Sequence, residues 1–142
     1  MNATAEKFGY PGTLVAEFEH WVVLLRPQQV TLGSLILLCR NEARRFGDIT
    51  QPAATELKAA TGRIEEVLSA AFGYDRINYL MLMMVDPDVH FHVIPRYQSS
   101  RSYQGTAFLD TAWPGPPNLA ESNELSAERQ AALIADLKAR FG

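Results

Sequence analysis

The sequence predicts an α+β domain, a sheet of about five antiparallel strands with a central helix and a C-terminal helix. Three observations lead there. Short apolar and β-branched runs come in pairs joined by brief polar turns, one stripe of helical periodicity occupies the middle of the chain, and a second closes it. With 142 residues, 47% of them hydrophobic and 20% charged, the chain reads as one domain, residues 1–142, able to bury its own core.

Thr13 to Phe18 and Trp21 to Leu25 are β-prone runs separated by Glu19 and His20, so they form a hairpin with His20 exposed at the turn. Arg26 to Gly33 contains Pro27 and Gly33 and is a loop; Ser34 to Cys39 follows as a buried strand. A charged connector, Arg40 to Asp48, leads to Thr50-Gln51-Pro52, where a hydroxyl cap and a first-turn proline open a helix. Leu57, Ala60, Ile64, Val67, Leu68 and Ala71 recur on one face of it, and Gly73 stops it. Ile77 to Val85 is the next strand, Asp86-Pro87 the turn, and Val89 to Ile94 the returning partner. Met81, Met83 and Met84 are expected in the core.

Residues 98–125 are rich in Ser, Gly and Pro, include Trp113-Pro114-Gly115-Pro116-Pro117, and show no periodicity. A loop this long in a small domain is expected to cover a site or an interface. Ser126 then caps a helix over residues 126–141, an appendage with Leu133, Ile134, Leu137 and Phe141 on one side and Lys138 and Arg140 in its last turn.

A formal net charge of −3 argues against binding a nucleic acid polymer, while leaving room for a local basic pocket. Met1 to Pro11 has no apolar targeting core, and the longest apolar run, Leu80 to Val85, is too short to span a bilayer. The expectation is therefore a cytoplasmic protein without a membrane partner. The single cysteine, Cys39, lies among Leu35-Ile36-Leu37-Leu38 and reads as a small buried hydrophobe.

Chemistry concentrates in Asp88-Val89-His90-Phe91-His92-Val93-Ile94-Pro95-Arg96-Tyr97. In a strand, Asp88, His90 and His92 share one face while Val89, Phe91 and Val93 share the other, which makes a polar site backed by core. The histidines stand roughly 6.6 Å apart along the strand, within reach of one phosphate-sized group. Neutral imidazole can attack, accept a proton or bind a metal, so three chemistries are open. Asp88, His90 and His92 also offer three metal ligands, although no further histidine or cysteine lies at a useful spacing; no metal and no other cofactor is expected.

The run His90-Phe91-His92-Val93-Ile94-Pro95-Arg96 resembles the signature of the histidine-triad (HIT) superfamily, with Asp88 where the first histidine of the triad stands. The order of elements from Leu14 to Arg96 is similar too. The resemblance implies a HIT-like fold, a homodimer, and a nucleotide hydrolase or nucleotidyltransferase. His90 is then the nucleophile that attacks the α-phosphate, and His92 the group that touches the phosphate or the leaving oxygen. Arg96 is either a substrate contact or a structural ion-pair partner. Ser34 stands where the family has a histidine, and Arg26 where it has a ribose-contacting residue. The segment before the triad is too short to supply the family's phosphate-binding side chains; Arg26, or Ser99, Ser100 and Arg101, are the candidates to replace them. Asp88 adds a negative charge near where a polyphosphate would sit, which is unfavourable unless the carboxylate hydrogen-bonds a histidine; such a contact would raise the imidazole's basicity and fix its tautomer. Three alternatives stay open: a nucleotide-binding homodimer without turnover, a metal-dependent enzyme using Asp88, His90 and His92, and a plain interaction module.

Overall fold

Five strands, β1 (Leu14–Glu17), β2 (Trp21–Leu25), β3 (Leu35–Cys39), β4 (Arg76–Leu80) and β5 (His90–Arg96), pair antiparallel in the order β1-β2-β3-β5-β4. This is the predicted α+β architecture, seen in a computed structural model that describes residues 1–142. Every residue of β2 and β3 is buried, so their unbroken apolar runs reflect cover on both faces.

One face carries the large core. A helix, α2 (Gln51–Phe72), begins where Thr50 Oγ1 accepts the Ala53 amide proton at 3.2 Å and ends at Gly73 in the left-handed region, as its sequence predicts. Its Ala53, Ala60, Ile64, Val67, Leu68 and Phe72 pack on Trp21, Val23, Leu25, Leu35, Leu37 and Val93. Burying each such leucine, isoleucine or valine contributes about 1.5–3 kcal/mol. The Trp21 indole N–H donates to the Ala53 carbonyl at 2.8 Å and pins helix to sheet. Gly33 has φ +86°, and a Cβ there would meet the Phe72 ring at 2.8 Å, so only glycine lets the loop close onto α2. The last helix, α3 (Ala127–Phe141), capped by Ser126, adds Leu133 and Leu137 to the same core.

The other face carries a smaller core of Ala5, Val22, Leu24, Ile36 and Leu38, closed by Phe8, Tyr10 and Leu14. Ala5 belongs to a short helix, α1 (Ala3–Lys7), which the sequence reading missed. Asn2 caps it by accepting the Ala5 amide proton at 2.9 Å. Its signal, a capping residue ahead of Ala-Thr-Ala-Glu, is too short to carry a periodicity.

Three further departures bear on the site. β4 stops at Leu80 rather than Val85, and the chain from Met81 to Val89 leaves the sheet. That link is drawn toward α1, because Lys7 Nζ donates to Asp86 at 2.8 Å and Thr4 Oγ1 to Asp88 at 2.8 Å. Met81 and Met83 touch the core, but Met84 is 86% exposed, against expectation. Residues 98–125 are not structureless: β6 (Arg101–Tyr103) and β7 (Thr106–Phe108) form a hairpin whose turn residues Gln104 and Gly105 both have positive φ. A two-residue turn of that kind suits a tight hairpin, and the Gln-Gly pair was its signal.

Candidate active site

Register places the histidines. On β5, His90 stands opposite Leu38 and His92 opposite Ile36, so both imidazoles lie on the face of the smaller core, while Phe91 and Val93 turn to the α2 core. The alternation expected from the sequence therefore holds for these residues. Their rings are 5.2 Å apart between centroids and inclined at 73°.

The hydrogen bonds set two complementary tautomers. His90 Nδ1 is 2.6 Å from the Asp88 carbonyl oxygen, which can only accept, so Nδ1 carries the proton. In neutral His90 the lone pair is then on Nε2. His92 Nδ1 accepts from Arg26 Nε at 3.3 Å, so its proton sits on Nε2. Burial, then the neighbouring Arg26 and His90, pull the His92 pKa down to about 4, and His92 is neutral at pH 7. The pair offers one nucleophilic nitrogen and one N–H donor.

Asp88 takes a different place from the one expected. Its carboxylate accepts from the Thr4 hydroxyl at 2.8 Å and Thr4 amide at 3.4 Å, and bonds neither imidazole. It lies before β5 begins, so strand alternation does not govern its direction. Asp88 thus orients His90 through its backbone carbonyl, and its side chain fastens the N-terminal helix. No group of three His, Cys, Asp or Glu side chains converges anywhere, so the Asp88, His90 and His92 trio is not a formed ligand set.

Both histidines are nearly buried. His90 is 2% exposed and His92 7%, because the Phe8 ring lies across both at 5.9 Å between centroids. The adjoining cleft, about 290 Å³, is lined by Lys7, Phe8, Arg26, Pro27 and Gln28. Phe8 and Arg26 are the two residues shared by cleft and histidine pair. Sequence reasoning named Arg26 but missed Phe8 and Thr4, since nothing local marks them.

The other candidates scatter. Ser34 is fully buried and bonds Thr31, bracing the loop before β3. Arg96 takes its structural alternative: it pairs with Asp110 at 2.8 Å and donates to Asn78 at 2.8 Å. Arg101 donates to the Phe72 and Gly73 carbonyls at the end of α2, and to Ser99. Helix-end carbonyls lack partners within the helix, which explains why that guanidinium goes there. Ser99 and Arg101 therefore stand with α2, not with the histidines. Trp113 to Pro117 line a groove along β4. No hydrogen bond links residues 98–125 to His90 or His92; their bonds go to Arg96, Asp136 and Gln29 instead. His20 is half-buried, not exposed, and its Nδ1 has no partner.

The low His92 pKa has a stability consequence. The unfolded chain protonates this imidazole near pH 6.5 and the folded chain only near pH 4, so the unfolded state binds more protons between those values. Stability from this group is complete above about pH 6.5 and is lost as pH falls toward 4. Urea unfolding at pH 7.5 and 4.5 is expected to differ by about 2 kcal/mol, most of it removed by His92→Gln. An unchanged difference in that variant would place the acid sensitivity elsewhere.

The family model described as HIT domain matches residues 7–99. No curated protein sequence matches. Among solved structures, the chain is similar to a histidine triad protein from Sinorhizobium meliloti 1021, with 20% identity, 99% of this chain and 95% of that one covered, and a TM-score of 0.76. It is similar to another from Bradyrhizobium japonicum, with 16% identity, 100% and 97% coverage, and a TM-score of 0.75. A third is a hypothetical histidine triad nucleotide-binding protein from Sulfolobus tokodaii strain7; identity is 16%, coverage 97% and 89%, and the TM-score 0.71. At these identities the likeness shows the fold.

Proposed function

The chain belongs to the HIT domain family, and on that premise we propose that it is a nucleotide hydrolase or nucleotidyltransferase working through a nucleotidyl-histidine on His90. The observation that carries this reading is the tautomer pairing: a lone pair on His90 Nε2 beside an N–H on His92 Nε2. In the first step Nε2 of His90 forms a bond to the α-phosphorus while the bond from phosphorus to the leaving oxygen breaks. Water or another acceptor then attacks phosphorus, the P–N bond breaks, and the nucleotide departs. The Asp88 carbonyl holds the proton of His90 Nδ1 and meets the positive charge that grows on the ring as Nε2 attacks. His92, kept neutral, donates a hydrogen bond to a phosphoryl oxygen and does not act as an imidazolium acid. Leaving groups that depart as stable anions suit such a site.

A second reading, nucleotide binding without turnover, is favoured by the Phe8 ring lying across both histidines. A screen of mononucleotides, dinucleoside polyphosphates, nucleoside phosphoramidates and sugar nucleotides separates the two. The enzyme reading expects release of a nucleoside monophosphate from one class; binding in calorimetry with no product from any class supports the second reading.

The partner in this reading is a second copy of the chain. The outer edge of β4 has no strand beside it, and Leu82, Met84 and Val85 just beyond it are 51%, 86% and 80% exposed. An open strand edge next to exposed apolar side chains invites pairing. Light scattering is expected to give twice the chain mass, and Leu82→Asp with Met84→Asp to give the monomer; a monomeric wild type would end the homodimer proposal. No helix is long and apolar enough to cross a membrane. A cytoplasmic location, where nucleotides are plentiful, is part of the proposal.

A further inference from the structure

Arg26 is 6% exposed, yet no carboxylate lies within ion-pair distance of its guanidinium. Its partners are His92 Nδ1, through Nε, and the Gln28 carbonyl, through Nη1 at 2.8 Å. Neither is negative, and Nη2 makes no hydrogen bond within the protein. Burial pulls the Arg26 pKa down with no acidic neighbour opposing it. A buried charge normally has a counter-charge, because removing it from water is costly. The contrast within this chain is direct: the equally buried Arg96 holds a bidentate carboxylate, Asp110. Arg26 instead borders the cleft that it lines with Lys7, Phe8, Pro27 and Gln28. Lys7, which also lines the cleft, is paired with Asp86.

We propose that Arg26 is the anchor of an anion subsite, taking a second phosphoryl group of the substrate beside the one held by His90 and His92. This rests on the reading that the histidine pair receives a phosphoryl group. It makes the preferred substrates nucleotides with at least two phosphoryl groups. A planar guanidinium with free N–H groups suits a phosphate oxygen pair better than a ribose hydroxyl pair. The second phosphoryl group has two sources, the leaving phosphate chain or a phosphate on the ribose; the chemistry at Arg26 is the same.

Calorimetry of the intact protein and of Arg26→Gln and Arg26→Lys, each checked by circular dichroism, with AMP, ADP, adenosine 3′,5′-bisphosphate and inorganic pyrophosphate tests this. Wild type is expected to bind at least one of the two bisphosphorylated nucleosides roughly ten- to a hundredfold more tightly than AMP. ADP being the tighter identifies the phosphate chain, and the 3′,5′-bisphosphate the ribose phosphate. Arg26→Gln also removes the hydrogen bond to His92 Nδ1, so AMP affinity is expected to fall, and that of the preferred bisphosphate at least about tenfold further, which erases the preference; Arg26→Lys is expected to keep part of it. Equal binding of AMP and both bisphosphates by wild type, or an equal loss for all ligands in a folded Arg26→Gln, overturns the subsite while the function reading stands. Pyrophosphate binding that depends on Arg26, with no nucleotide bound, supports the subsite and overturns that reading. Binding of none of the four probes overturns both.

Discussion

Replacing His90 with asparagine is expected to lower single-turnover cleavage of a dinucleoside polyphosphate by at least about a thousandfold, since it removes the nucleophile and with it the covalent route. Asparagine is the informative choice. His90 is buried beneath Phe8, so alanine would also leave a void, and its loss of activity would mix chemistry with packing. Strand alternation puts His90 on a polar face, and the structure packs that face under the Phe8 ring. His92→Ala is expected to cost less, on the order of a hundred- to a thousandfold, because one donor to a phosphoryl oxygen is removed and the nucleophile remains. His92→Gln, which can present an amide N–H toward the same oxygen, should recover part of that loss. If His90→Asn kept wild-type turnover, the covalent mechanism would be wrong whatever its other variants did.

Asp110→Ala is expected to destabilise the fold by about 3–5 kcal/mol, the effect of stranding a buried cation. The Arg96 and Asp110 side chains are 4% and 3% exposed, and the carboxylate also takes the Tyr97 amide proton at 3.0 Å. Arg96 loses two of its three bonds in that variant and keeps only Asn78. For a domain whose total stability is on the order of 5–15 kcal/mol, the loss is large enough to read in urea. The double variant Arg96→Met with Asp110→Leu should recover part of it, since removing both charges leaves no stranded ion while the Tyr97 amide and the Asn78 side-chain carbonyl still lose their partners. A single variant within about 1 kcal/mol of wild type would mean that the pair carries little weight in tying residues 98–125 to β5.

Much of this was legible in the chain itself. The β2 and β3 runs, the Thr50 cap with Pro52, the Gly73 stop and the Ser126 cap are local signals, and local signals survive folding. The alternation at His90, Phe91, His92 and Val93 likewise fixed which faces the side chains take. What the sequence could not carry was contact between distant segments. Thr4 meets Asp88 across 84 positions, Arg26 meets His92 across 66, and Phe8 reaches both imidazoles from the N-terminus. Each is set by how α1 closes the second face of the sheet. The same closure redirects Asp88, whose carboxylate goes to Thr4 because a hydroxyl and an amide proton wait there. Ser99 and Arg101 were placed near the site on proximity in sequence to the histidine run. The hairpin they enter instead turns toward the unpaired carbonyls at the end of α2.

The central claim, a phosphorus–nitrogen bond to His90, is tested most directly by trapping it. Wild-type protein mixed with a dinucleoside polyphosphate, quenched within a single turnover and kept out of acid, which cleaves such bonds, would be digested and sequenced by mass spectrometry. The account predicts one nucleoside monophosphate adduct, located on His90, rising and then decaying as product appears, and absent from His90→Asn. Product formed with no adduct on any histidine, or an adduct on His92 that persists in His90→Asn, would contradict it.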